Sequence, residues 1–399
     1  MITVRHWCRG YPFKYLSDLP AIMKHNSADI AVIGSGIVGL AHAYMALRKG
    51  YRVVLFDRDE FAVGASVRNF GLIWPIGQEP GDGLRWALSS RRHWLETAAA
   101  AGFWINQNGS LHIATRDDEW SVLSEFVEGN GEQGYDCALL EPDGVMRKAN
   151  GIRRGGLKGG LWSRTECTID PREAIRKIPR WLEEKYQLTL RFGHGVIGIQ
   201  FPMLTTTRGE AWTVDKIFIC SGAEFQTLYP EVFDRPGITK CKLQMLKASS
   251  HDRSFTLGPT LCAGLTLRHY AAFRNCPSLP LLDARFDREN IAWKNYGIHV
   301  LLTQNGNGDL IIGDSHQYGL TPDPFDPQEI NDIIMECLRS FTELGDLTVT
   351  ERWHGVYPKM GNDLSLIMEP EKGVTVVNCL GGAGMTLSFG MAEEVIARL

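Results

Sequence analysis

Apolar residues follow two rhythms along this chain, and the first change of rhythm is the most informative. Ile30, Ala31, Val32 and Ile33 form an unbroken apolar run, and a glycine-rich turn follows. Ile37, Leu40, Ala41, Tyr44 and Leu47 then recur at helical spacing until Gly50, and Val53 to Phe56 form a second apolar run. Short continuous apolar runs fit strands buried on both faces, so residues 29–59 are predicted to form a strand–helix–strand unit with parallel strands. Gly50 stands where a helix C-cap belongs.

Further on, the pattern predicts helices at 84–101 and 117–128 and strands at 103–106 and 110–114. Another helix is expected to open at Asp170-Pro171, because Asp suits an N-cap and Pro the first helical turn. Strands are then expected at 188–192, 195–201, 211–219, 241–249, 260–267, 281–286, 297–304 and 309–313, with a helix at 326–343. The tail VTVVNCLGGAGMTLSFGMAEEVIARL returns to the opening order of buried strand, glycine turn and helix. The expected fold class is therefore α/β, in an α+β arrangement of two domains. A Rossmann-like nucleotide-binding domain is assembled from both chain ends, and a substrate domain with a mixed or antiparallel sheet is interleaved with it. The nucleotide-binding blocks are 29–75, 150–230 and 345–399. The substrate blocks are 76–149 and 231–344, and 1–28 is an N-terminal extension in which Met23 is an alternative start.

Composition narrows the function. With 44% hydrophobic and 22% charged residues the chain has a globular balance. The net charge of −4 argues against a nucleic-acid binder, which needs a basic excess to neutralise phosphates. The 9 cysteines include no Cys-x-x-Cys pair, so neither a disulfide framework nor a metal site is indicated and a reducing cytoplasm fits best. No apolar run reaches the roughly 18 residues of a membrane span, and the first residues lack the apolar segment of a signal peptide. The 42 glycines in 399 residues exceed average usage of about 7%.

Part of that excess carries chemistry. Gly34-Ser35-Gly36-Ile37-Val38-Gly39 is a Gly-x-Gly-x-x-Gly turn between a buried strand and an amphipathic helix. Its glycines permit the tight turn, the approach of a pyrophosphate and close helix packing, and the phosphates meet the positive end of the helix dipole. Asp57, with Arg58 beside it, ends the next strand at the spacing of an acid that accepts from a ribose hydroxyl. A bound dinucleotide follows. The second glycine turn, Gly381-Gly382-Ala383-Gly384, is kept for the chain's end, where its N–H groups and helix dipole suit the reduced pyrimidine of a flavin, so FAD is favoured over a nicotinamide.

On these residues the chain resembles the D-amino-acid oxidase family of FAD-dependent oxidoreductases, the group that includes glycine oxidase and sarcosine oxidase. The resemblance is carried by 29–80 and 351–399 and extends over most of the chain from residue 28. It implies FAD held by Gly34, Gly36 and Gly39, by Asp57, and by the loop GASVRNFG, with Ala65, Ser66, Arg68, Asn69, Phe70 and Gly71. It further implies contacts from Val196, from Ser221 and Gly222 in CSGAE, and from Gly381, Gly382, Gly384, Met385 and Thr386 in GGAGMT. The segments RNFGLIWPIGQ, CKLQML and LRHYAAF resemble a subgroup associated with aminophosphonate breakdown. Where covalent members carry a flavin-linked cysteine this chain has Gly355, so the FAD is expected to be non-covalent. Where glycine oxidase-like members hold the substrate carboxylate with an arginine, it has Tyr357.

A flavin performs the redox step itself, so the substrate domain need only position an amine, bind its acid group and exclude water. Candidate substrate-facing residues are Tyr357, His269, Tyr270, His299 and His354, with Arg68, Lys242, Arg268 and Lys359 as further cations. The implied partners are a small amine and O2 or another electron acceptor; no oligomeric state follows from the sequence. The expected activity is oxidation of a primary or N-methylated amine, amino acid or aminophosphonate, by hydride transfer to flavin N5 and hydrolysis of the imine. The alternatives are a D-amino-acid, sarcosine or glycine-type oxidase with a relocated cation, and a non-catalytic flavin-binding or electron-transfer module.

Overall fold

The computed structural model describes residues 25–130, 133–361 and 363–399. The expected N-terminal extension lies outside these residues up to position 24, and the first strand already begins at His25. That strand, His25–Ile33, is the middle of five parallel neighbours. Val53–Asp57 and then Thr189–Phe192 lie on one side, and Ala211–Ile219 and then Val374–Asn378 on the other. Ile33 pairs with both Ile219 and Phe56, and Ile219 pairs with Val376, so several strands end at one level. In such sheets ligands bind beyond the carboxyl ends of the strands.

Helices Ile37–Arg48, Asp82–Ala101, Pro171–Tyr186 and Gly384–Ala397 cover one face of this sheet and share one apolar core with it. Leu40, Ala41, Leu55, Trp94 and Phe389 are its buried centre. Asp170 caps its helix as expected, accepting from the N–H groups of Arg172 and Glu173. The Trp94 indole donates to Met385 O at 2.7 Å, tying the second helix to the last. Hairpin Val196–Thr206 and the segment Phe225–Phe233 pack over the opposite face.

A nine-stranded sheet stands beside the first. Its backbone is a long antiparallel pair, Ile238–Ser250 with Leu347–Met360. Leu310–Gly313, Leu301–Gln304, Thr260–Ala263, Ser110–Ala114, Gly159–Ser163 and Cys137–Leu140 extend it. Helices Asp117–Asn130, Leu279–Glu289 and Gln328–Phe341 bury its outer face. Cys241, Leu243, Met245 and Tyr357 cluster on the other. Strands 159–163 and 347–360 thus pair in this sheet, although the sequence pattern groups them with the nucleotide-binding blocks.

Three local expectations are corrected. Residues 281–286 are helical, not a strand: Pro280 sits in the first turn, and the buried Leu282 and Phe286 are four apart, a spacing a short apolar run conceals. The strand expected over 260–267 stops at Ala263, and Thr266–His269 form a helical turn. The strand expected from 297 is regular only over Leu301–Gln304. Among the described residues no helix is long and apolar enough to cross a membrane, and the eight described cysteines are unpaired.

Burial of histidines makes a prediction. His42 and His112 are buried and have no charged partner, and burial lowers them to about 4 and about 3. The unfolded chain takes up these protons near pH 6.5 while the folded chain resists them. Stability should therefore fall as pH drops from about 6.5 towards 4, by up to ~1.4 kcal/mol per pH unit for each histidine. Urea denaturation at pH 7 and pH 5 measures the loss, and His112→Gln should reduce it; an undiminished loss would reject burial of His112 as a source.

Candidate active site

The site begins where the parallel strands end. The Gly34 amide donates to Phe56 O at 2.8 Å, and the Cys220 amide to Ile33 O at 2.8 Å, so the turns after two strands nest against their neighbours. This nesting leaves no room for side chains: a Cβ on Gly34 would lie 2.3 Å from Cys220 O, and one on Gly39 would lie 1.9 Å from Gly34 O. Gly34 also adopts φ +105°, which L-residues rarely reach. Gly36 precedes the first helix and has no side chain to cap it, so first-turn amides beyond the one Ser66 takes are left for an anion.

The surrounding side chains hold this shape. Asp57 accepts from the Ser35 amide at 2.8 Å, the Ser35 hydroxyl at 2.5 Å and the Asp59 amide at 3.0 Å. Ser66 accepts from the Ile37 amide at 2.9 Å, locking the 64–71 loop onto the helix start. Asn69 builds that loop from within, donating to Ala65 O and Ser66 O and accepting from the Gly71 amide. At the terminal turn, Thr386 accepts from the Trp74 amide at 3.0 Å and Met385 O is taken by Trp94.

A cavity of about 910 Å³ runs through these elements. Near one end are Asp57, Arg58 and Val196; it continues past Gly34, Gly36, Ile37, Val38, Ala65, Ser66, Arg68, Asn69 and Phe70. Ser221, Gly222, Gly381, Gly382, Gly384, Met385 and Thr386 line its middle, and His269, Tyr270, His299 and Tyr357 its far side. Its size stands at the upper end of single-ligand pockets, which span about 300–1,000 Å³. The glycine cradle, the helix terminus and the carboxylate at the strand end together fit a dinucleotide, and His269, Tyr270, His299 and Tyr357 line the same cavity.

Other expected residues have different tasks. Ser35, Gly39 and Gly71 shape the turn and loop and do not line the cavity. His354 also lies off it, with Nδ1 2.9 Å from the Asp326 carboxylate. Lys242 is buried and reaches Asp326 at 2.8 Å and Asp323 O at 2.7 Å, so Lys242 and His354 anchor one loop. Arg268 pairs with Asp283 at 2.6 Å. Lys359 and Arg68 remain: both line the cavity and neither has an ion pair among the described residues, Lys359 standing over the Tyr318 ring and Arg68 reaching His354 O at 3.4 Å. Tyr357 is buried next to Lys359 on the same strand, and a Cβ on Gly382 would lie 3.5 Å from its hydroxyl.

Two residues that sequence reasoning missed complete the far wall. His316 stacks on His299 with ring centroids 4.9 Å apart, and His269 stacks on His299 at 3.7 Å. Asp314 Oδ1 approaches His299 Nε2 at 3.2 Å. The signal was present in the alternation of Asp314 and His316 after the apolar strand 310–313. His269 has accessible surface although it lies deep in the protein, because that surface belongs to the cavity wall. Burial, then the neighbouring histidines, holds His269 and His299 well below the usual imidazole range, and burial lowers His316 to about 4. Burial pushes the Asp314 carboxyl well up. The imidazole nitrogens lie within 4.8 Å of one another, but ring lone pairs lie in the ring planes, and stacked planes do not converge on one ion.

Asp57→Ala removes a charged acceptor from three donors. It should weaken FAD binding by about 10- to 100-fold, as expected for one charge-assisted interaction of about 1.5–3 kcal/mol. Fluorescence titration of the apoprotein with FAD checks this, and unchanged affinity would reject a role for Asp57 in holding the cofactor.

Comparison with known proteins agrees with this geometry. One of the opine oxidase chains of Agrobacterium tumefaciens (strain Ach5) is 22% identical over 387 residues, covering 92% of this chain and 93% of that one. Glycine oxidase from Bacillus cereus superposes with a TM-score of 0.73 at 17% identity, covering 93% of this chain and 94% of that one. L-proline dehydrogenase from P. horikoshii superposes with a TM-score of 0.75 at 19% identity, over 93% and 92%. Residues 29–398 match the family described as FAD dependent oxidoreductase, DAO. With the glycine cradle, the long cavity and this match over nearly the whole chain, the protein belongs to the DAO family of FAD-dependent oxidoreductases.

Proposed function

We propose that the protein oxidises a small amine that carries an acid group, with aminophosphonates ahead of ordinary α-amino acids. The observation that carries this reading is the pair Tyr357 and Lys359. Where the family resemblance expects a guanidinium fork for a carboxylate, the cavity instead offers one buried hydroxyl and one uncommitted ammonium. Arg binds a planar carboxylate through paired donors, whereas Lys acts as a point charge. A tetrahedral phosphonate, with three oxygens, accepts a guanidinium fork but is also served by separate point donors, as Lys in phosphate-binding loops shows.

FAD, when bound, supplies the redox chemistry by accepting a hydride from the carbon beside nitrogen. The chain's own residues bind, orient and desolvate. The 34–39 turn, Asp57, the 64–71 loop and the 381–386 turn are assigned to the cofactor, and its non-covalent retention is supported by Cys379, whose thiol is pushed by burial to about 12 and so stays protonated. Lys359 holds the acid group, and Tyr270 with the histidine stack walls the cavity and excludes water. The imine formed from the substrate then hydrolyses to a carbonyl compound and an amine or ammonia. A second reading, an oxidase for glycine, sarcosine or a D-amino acid with a relocated guanidinium, is favoured by Arg68 and Arg274, which also line the cavity. Arg274 is, however, paired with Glu79 at 2.8 Å.

Anaerobic mixing with 2-aminoethylphosphonate, its N-methyl form, glycine, sarcosine and D-alanine tests the reading by loss of oxidised-flavin absorbance. Reduction by the phosphonates is expected; reduction by the carboxylates alone would replace it with the second reading, and reduction by none would reject amine oxidation. Lys359→Met should raise KM for the acid-bearing amine by roughly 10- to 100-fold with a smaller change in kcat, the signature of lost ground-state binding. An unchanged KM would remove Lys359 from the acid subsite.

A further inference from the structure

The far wall contains buried polar atoms without partners. Both ring nitrogens of His299 and Oδ1 of Asp314 make no hydrogen bond. The 3.2 Å approach of Asp314 to His299 Nε2 lacks hydrogen-bond alignment, so it satisfies neither atom. Both residues are buried and both line the cavity. Burying such groups unpaired costs about 1–3 kcal/mol each, more for a charge, so a ligand that supplies donors is strongly favoured there.

The surroundings define that ligand. His269 and Tyr270 face the pair from one segment, and His316 and Tyr318 from another. Cys241 and Tyr357 approach from the long strand pair. None of these six is a carboxylate or a fixed cation. Lys359 and Arg268 supply positive charge nearby, and Arg268 is already paired with Asp283. His316 is fixed by Nδ1 at 3.0 Å from Gly297 O. An anion placed at Asp314 would meet a carboxylate and imidazoles that burial keeps neutral. A cation with N–H donors would favour the ionised form that burial disfavours at Asp314, and would meet the acceptor nitrogen of the neutral His299 imidazole.

We propose that Asp314 and His299 form the subsite for the substrate's amino group and accept its ammonium proton. The inference rests on the amine reading above and assigns the end of the substrate opposite to the acid group at Lys359. The substrate enters as an ammonium and donates into Asp314 and His299. One N–H bond then breaks, its electron pair stays on nitrogen, and the proton is held between the Asp314 carboxylate and the His299 ring. The step moves one proton and no electrons, and it leaves the neutral amine that hydride loss from the adjacent carbon requires.

Two measurements on the FAD-loaded protein test this. The first compares binding of an acid whose primary ammonium sits on a fully substituted carbon, and so cannot be oxidised, with its uncharged tert-butyl isostere at pH 8, followed by perturbation of the flavin spectrum. The wild type should prefer the cation by about tenfold or more, and Asp314→Asn should lose that preference while keeping its FAD. The second follows anaerobic flavin reduction against pH. In Asp314→Asn only the neutral amine is productive, so kred/Kd should climb about tenfold per pH unit up to the amine's own pKa, whereas the wild type levels off earlier. His299→Gln should shift the profile in the same direction and provides the test if Asp314→Asn does not fold. A variant that keeps the cation preference and the wild-type profile overturns the subsite while the amine reading stands. If no amine reduces the wild-type flavin, the amine reading falls and takes the subsite with it.

Discussion

The close contact between the glycine turn and its neighbours is the constraint on which the remaining architecture depends. Gly39 reaches Gly34 O, and Gly34 reaches Cys220 O, at separations that leave no space for a Cβ. Only with that contact can the first helix start directly over the sheet with its N-terminus at the cavity, and only then can the turns after Ile33 and Ile219 stand side by side. The side chains around it serve the same purpose. Asp57 draws the Ser35 backbone towards the second strand, and Ser66 clamps the following loop to the helix start.

A second consequence concerns chain order. The terminal helix lies against the first helix and against Asp82–Ala101, and the last parallel strand pairs with Ala211–Ile219, so the cofactor cradle is complete only when both ends of the described chain are in place. The two sheets are joined in a similar way. Leu347–Met360 runs along Ile238–Ser250 in the antiparallel sheet, and Lys359 then bridges to Leu380 at the terminal glycine turn. One strand therefore carries Tyr357 and Lys359 to the wall while holding the turn assigned to the flavin. The cavity wall and the terminal glycine turn are thus coupled by backbone pairing.

Much of the cradle was legible in sequence because its determinants are local. A buried strand, glycines at fixed offsets, a helical stripe and an acid after the next strand all lie within 29–59, and the tail repeats the same order. Legibility declined where a residue's role depended on distant partners. Lys242 and His354 are candidate substrate-facing residues in one dimension, yet both are committed to Asp326. Arg268 is committed to Asp283. Residues 281–286 carry an apolar run whose four-residue spacing decides for a helix only because Leu282 and Phe286 have a core to enter.

The sequence by itself determined the dinucleotide cradle, the α/β class and the interleaving of its parts, because glycine spacing and hydrophobic period act through the backbone over a few residues. Tertiary structure alone decided which charges are spent on loops and which face the cavity, since an ion pair forms across any separation in sequence. It also decided that His269, His299 and His316 stack beside Asp314, because only the packing of a helical turn against a hairpin end places residues from 269 to 316 on one wall.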